Sequence, residues 1–329
     1  MQVLSKIKGR VIREVMVRNL KGKTPVEKAL KWLLAYRVTP KGVVPSYSYQ
    51  RRNMATQEET GYILGVLYLY GEKKLALKMA KWEASVQKAD GAFAAMDDVP
   101  YTFDTAQVIR GFLAVLDELP EVESNLRRAC DYIDSQIGKN GVIHTPSYDT
   151  WKVKGGSMLH EYGNLYILPP MLQAGRKLNE PKYIRAAQRA MDNYRKKPDL
   201  TAFRPELSML SHYFGYMMEA LVDLGETELA KKGLREAENI QHADGAIPAF
   251  PGVNWVCSTG LAQLALAWYK LGIKAPADKA LDYMARIQND SGGFLGGYGP
   301  GAQYFPCQEI SWTAKFFLEA HYWKNKAAC

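Results

Sequence analysis

A short phrase that returns along the chain constrains this sequence more than any bulk property. QKADGAF from Gln87, QHADGAI from Gln241 and QNDSGGF from Gln288 each place Gly four residues after Gln, with a large apolar residue two further on. A looser copy, QIGKNGVI from Gln136, is one residue longer. The copies fall about fifty residues apart, except for one step of twice that length. A degenerate copy is therefore expected near residue 190, where MDNYRKKPDLTAF runs from Met191 to Phe203. Self-similarity at a fixed period marks a fold assembled from one supersecondary unit.

A second series runs in phase with the first. Apolar helices opening on small or polar residues are expected to begin near Glu58, Asp104, Glu161, His212, Ser258 and Glu309. Between them lie amphipathic helices with charged faces, such as KKLALKMAKWEASVQ from Lys73 and ADKALDYMARIQ from Ala277. A helix that is apolar all round belongs in an interior, and one with a single apolar stripe belongs outside it. Alternating the two kinds gives concentric rings. The spacing predicts an all-α fold, an α/α toroid of about six inner and six outer helices. PVEKALKWLLAYR from Pro25 supplies the sixth outer helix and packs beside the last inner one, so that no apolar end is left to cap. The expected organisation is a basic N-terminal helical segment, 1–23, and a single toroid domain, 24–329. Pro169 and Pro170 are expected to shorten or bend the third inner helix.

The Gln-x-x-Asp/Ser-Gly-x-Phe phrases resemble those of the α/α-toroid superfamily, which includes squalene and hopene cyclases, protein prenyltransferase β subunits, and the helical domains of glucuronyl C5-epimerases and polysaccharide lyases. The resemblance implies that Gln87, Gln241, Gln288, Phe93 and Phe294 are structural. It does not extend to the isoprenoid signatures. The cyclase motif Asp-x-Asp-Asp-Thr-Ala keeps only its last acid, in Tyr101-Thr102-Phe103-Asp104-Thr105-Ala106. The zinc pattern of the prenyltransferases needs an Asp two residues before a Cys, but Trp255 precedes Cys257 and Phe305 precedes Cys307.

In such a toroid the inner-helix N-termini surround a common mouth, and helix N-termini favour anions. The loops leading there are rich in groups able to stack on sugar rings and move protons. The expected catalytic residues are His160, Glu161, Tyr162, His212 and Tyr213. This set suits proton abstraction beside a carboxylate, with Tyr or His as base and acid. The expected substrate-binding residues are Tyr101, Asp104, Tyr148, Trp151, Asn164, Trp255, Tyr298, Tyr304, Glu309 and Trp312. Glycoside hydrolysis would instead need two opposed carboxylates, for which Glu58, Asp104, Glu161 and Glu309 are the candidates.

Charge and composition bound the rest. Of a formal net charge of +9, most sits in residues 1–23, where seven Lys and Arg face Glu14 alone. That segment is expected to make any peripheral contact with anionic membrane or glycan-assembly partners. It lacks the unbroken apolar core of a secretory signal, and four scattered cysteines do not make a disulfide framework, so a cytoplasmic protein is expected. No cofactor, metal or nucleic-acid partner is expected. The leading expectation is a carbohydrate-active enzyme acting on a uronate-containing or lipid-linked saccharide by epimerisation, elimination or hydrolysis. An isoprenoid-binding or cyclising enzyme and a noncatalytic binding toroid stay open beside it.

Overall fold

The computed structural model describes residues 23–36, 38–39, 41–43, 55–94, 98–145 and 161–327. Among these the chain forms twelve α-helices in six outer–inner pairs. The outer set is α1 (Pro25–Tyr36), α3 (Lys73–Val86), α5 (Glu123–Gln136), α7 (Pro181–Tyr194), α9 (Thr227–Asn239) and α11 (Lys274–Ile287). The inner set is α2 (Gln57–Leu69), α4 (Thr102–Val115), α6 (Leu168–Lys177), α8 (Ser211–Asp223), α10 (Ser258–Lys270) and α12 (Ser311–Lys326). Inner helices pack in the order α2, α4, α6, α8, α10, α12, and α12 returns to α2. The first outer helix packs on the last inner one. The fold is thus a closed α/α toroid. The basic segment lies outside the described residues, and among those described no helix is long and apolar enough to cross a membrane.

Burial follows the two helix types. In α10 every residue from Ser258 to Tyr269 is buried, whereas α9 buries only Ala230, Gly233, Leu234 and Ala237. The inner ring is tight because glycines stand where helices cross. A Cβ on Gly61 would lie 2.6 Å from the Gln107–Val108 backbone of α4, and one on Gly111 would run into the Gly61 carbonyl. Gly260 abuts the Ser211–His212 backbone in the same manner.

The recurring phrase joins each repeat to the next. Gln87 donates to the Gly91 carbonyl and, at 2.9 Å, to the Asn125 carbonyl at the start of α5. Gln241 bridges Gly245 and Pro276, and Gln288 bridges Gly292 and Pro25. The acid, amide or hydroxyl before the glycine accepts a backbone N–H two residues on, as Asp90, Asn140, Asp244 and Ser291 do. Gly91, Gly141, Gly245 and Gly292 all have φ near +90°, and a Cβ on any of them would strike a carbonyl of the next outer helix, at Arg128, Arg189, Lys279 and Lys28. The last phrase therefore grips the first helix, which closes the ring.

The third inner element departs from the rest. Its first two turns are a 3-10 helix, Glu161–Ile167, and the α-helix starts at Leu168 with Pro169 and Pro170 in its first turn. There the missing proline N–H groups leave no helix bond unmade.

Candidate active site

The inner-helix N-termini are laced together round one face of the ring. Thr102 at the start of α4 donates to the His144 carbonyl, Ser211 N–H of α8 to Ala249, and Ser258 N–H of α10 to Gly296. Short antiparallel strands β1 (Val38–Thr39) and β2 (Gly42–Val43) stand before α2. A second pair, β3 (Val256–Cys257) and β4 (Gly297–Tyr298), ties the last two rim loops with Val256 opposite Tyr298.

Below this rim the axis is filled. In a six-membered ring, alternate helices meet only across the centre. Phe103 of α4 lies 5.1 Å from Tyr216 of α8, and Tyr216 lies 5.9 Å from Phe316 of α12. Tyr166 joins them at 4.5 Å from Tyr216. One layer deeper, Arg110 stacks 3.9 Å over Tyr166, and Lys315 sits 3.7 Å over Phe316 while binding Glu319 at 2.7 Å. Lys270 pairs with Glu219 and Asp223 at 3.0 and 2.9 Å. Burial disfavours the charge of Glu219, but Lys270, Lys315 and Arg110 hold its carboxyl down to about 2. Burial lowers Lys315, against the pull of Glu319 and Glu219.

Four candidates converge on this aromatic floor. The buried ring of His212 lies 5.4 Å from Tyr213 and 5.7 Å from Tyr304, and Trp312 donates to the Tyr304 hydroxyl at 3.1 Å. Burial pushes His212 down to about 3, and its Nδ1 is 2.5 Å from the Gln263 side-chain oxygen. The imidazole is therefore neutral at physiological pH. Burial also raises the Tyr304 phenol well above its ordinary value.

Of the four carboxylates considered for hydrolysis, two begin adjacent inner helices, and the charge of one acts on the other. Glu58 begins α2 and Asp104 begins α4. Burial, then the charges of Glu59 and Asp104, push the Glu58 carboxyl well above the usual carboxylate range. Burial, then the charges of Glu58 and Glu59, raise the phenols of Tyr62 and Tyr216. Asp104 is 2% exposed. The other two acids stand elsewhere. Glu161 is exposed and 3.5 Å from Lys197. Glu309 accepts Trp32 Nε1–H at 2.8 Å, Asn289 at 2.7 Å and the Ser291 hydroxyl, so it sits in the seam between α1 and α12.

Tyr162 donates to Asp199 at 2.7 Å, and Asp199 pairs with Arg204. Burial and that hydrogen bond raise its phenol to about 12. Its ring lies 6.3 Å from that of Tyr194 on α7. Asn164 is buried beside it, and Tyr101 is buried at the cap of α4. Trp255 belongs to a small rim core with Leu210, Ala249 and Cys257. The Tyr298 hydroxyl accepts Leu295 N–H at 2.8 Å. His160, Tyr148 and Trp151 lie outside the described residues. Among the described residues no group of three or more His, Cys, Asp or Glu could hold a metal ion.

Sequence reasoning missed the deeper layer: Arg110, Glu219, Gln263, Lys270 and Lys315. Their signal was charged or amide residues inside four largely apolar helices, two of them in α10. Glu83, a fully buried acid on α3, was also missed.

The sequence matches no protein-family model and no curated protein. The structure is similar to solved α/α-toroid enzymes. An unsaturated glucuronyl hydrolase specific for heparin aligns with TM-score 0.69 and 14% identity over 92% of this chain and 95% of its own. An α-amylase from Clostridium perfringens aligns with TM-score 0.67 and 12% identity over 91% and 98%. A polysaccharide lyase aligns with TM-score 0.57 and 13% identity over 82% and 90%. At these identities the shared property is the fold, and the chain is an α/α toroid of the same architecture as these proteins.

Proposed function

We propose that the protein is a carbohydrate-active enzyme, most closely a glycoside hydrolase, that works at the mouth of the toroid. Glu58 is the proton donor, Asp104 the second carboxylate, and His212, Tyr213, Tyr304 and Trp312 the wall against which a sugar ring lies. The observation that carries this reading is the placement of two acids in the first turns of two packed, adjacent inner helices, beside a layer of aromatic rings that meet across the ring. Glycoside hydrolysis needs one carboxyl that keeps its proton and one that is ionised, and a site separates them by giving them different surroundings. The polar character of the ring, with Glu, Asp, His and Tyr converging, suits a saccharide better than an isoprenoid chain. The named hydrolase and lyase relatives of the fold agree with it by analogy only.

The test is turnover of a panel of neutral and uronate-containing oligosaccharides. Glu58→Gln and Asp104→Asn are each expected to lower kcat by about 100-fold or more while keeping a cooperative unfolding transition. Full activity in both variants would end this reading. The neutral His212 beside Tyr213 favours a second one, elimination or epimerisation of a uronate with Tyr213 as the acid. An enzyme that loses turnover in Tyr213→Phe but keeps it in Glu58→Gln would be of that kind.

A further inference from the structure

Glu83 is the acid that the proposed reaction does not use. It is 0% exposed, and neither carboxyl oxygen has a hydrogen-bond partner. It continues the apolar stripe of α3 below Ala76, Met79 and Ala80, on the face turned to α2 and α4. The repeats supply their own comparison. Counting eight residues back from the phrase glycine, the same position holds Ile133 before Gly141, Ala237 before Gly245 and Met284 before Gly292, each fully buried. Packing asks for an apolar residue there, and three of four repeats provide one.

We propose that Glu83 is a positioning residue, a buried proton-holding partner of Asp104 that stays neutral while Asp104 carries its charge and releases its proton only when that charge is removed. An isolated carboxylate in an apolar setting is among the most costly groups to bury, so the group keeps its proton instead. Burial, then the charges of Asp104 on α4 and Glu59 on α2, the two helices packed on this face, push its carboxyl well above the usual range. No cation faces it from these elements. Glu121, on the 3-10 turn packed against α3, is exposed and pairs with Lys81 at 3.1 Å. Two carboxyls whose charges act strongly on one another titrate as a unit, so protonating one eases the ionisation of the other. The role of the pair in turnover rests on the proposed function, since Asp104 is the shared member.

Infrared difference spectroscopy of the full chain tests the pairing without a substrate. In a Glu58→Gln background, which removes the other acid expected to keep its proton, the chain is expected to show a neutral carboxylic-acid carbonyl band at pH 7 that adding Glu83→Gln removes. In Asp104→Asn the same band should titrate away at a pH lower by about one unit or more, because the like charge is gone. A band that survives in Glu83→Gln, or one that Asp104→Asn leaves in place, overturns the proposal. Glu83→Met, which copies Met284, is the control for folding. It should raise the thermal midpoint at pH 8, where the native acid is a burden, and an unchanged or lower midpoint counts against a proton-holding Glu83. If the band behaves as expected while Glu58→Gln keeps full turnover, the proton pair stands and the hydrolase reading falls.

Discussion

Glu219 and Glu83 are both buried acids, and their surroundings send them in opposite directions. Three cations hold the Glu219 carboxyl at about 2, below the ordinary value of about 4.3 expected in the unfolded chain. Its contribution to stability is therefore complete above about pH 4.3 and is lost as the pH falls toward 2. Glu83 binds its proton more tightly when folded, so its contribution is greatest in acid and is lost as the pH rises from about 4.3 through its folded value. Glu219→Ala leaves the buried ammonium of Lys270 facing Asp223 alone, and removing one partner of a buried pair costs about 3–5 kcal/mol. Urea unfolding at pH 7 should report that loss, and Glu219→Met with Lys270→Met should recover much of it. A single variant as stable as wild type would show that the ionic layer is not coupled. None of these partnerships was legible in the sequence. The polar residues are few in each largely apolar helix, and which helix faces them across the axis depends on ring order.

At the scale of the element, far more was readable. Five of the six inner α-helices begin within two residues of the positions expected from the repeat, and the third opens at the expected Glu161 as a 3-10 helix before turning α at Leu168, because the alternation of stripe and all-round apolar patterning is a local property of each segment. Glycines are harder to read, since their meaning lies in the neighbouring helix. Gly260 sits against the α8 backbone, which cannot swing aside as a side chain could. Gly260→Ala is expected to destabilise by about 1–3 kcal/mol by overpacking. Gly225→Ala, where nothing lies within 4 Å of the added carbon but φ is +82°, separates backbone strain from crowding. Equal losses in the two variants, measured by denaturant unfolding, would remove the case for close inner-helix contact at Gly260.

The whole molecule is held by one seam made of residues far apart in sequence. Gln288 reaches Pro25, Glu309 reaches Trp32, and Gly292 abuts Lys28. The repeat phrase made the first of these readable, because Gln87 and Gln241 do the same in the interior. Glu309 shows the opposite outcome: its place at a helix start suggested a ligand-facing acid, but only coordinates reveal Trp32 as its partner. Removing residues 1–36 should do more than subtract one helix. It should uncover the α12 face and break a closed ring, so calorimetry is expected to show a broadened transition at a lower midpoint. A sharp transition near that of the full chain would mean the ring needs no closure.

The ionic layer beneath the aromatic rings has a consequence for traffic. Because Phe103, Tyr216 and Phe316 above it come from alternate helices and lie ring to ring across the centre, the described residues leave the toroid one doorway. A polymer cannot be threaded through it, so a chain can present only its tip or lie across the threshold, and whatever is released must depart by the route along which it arrived.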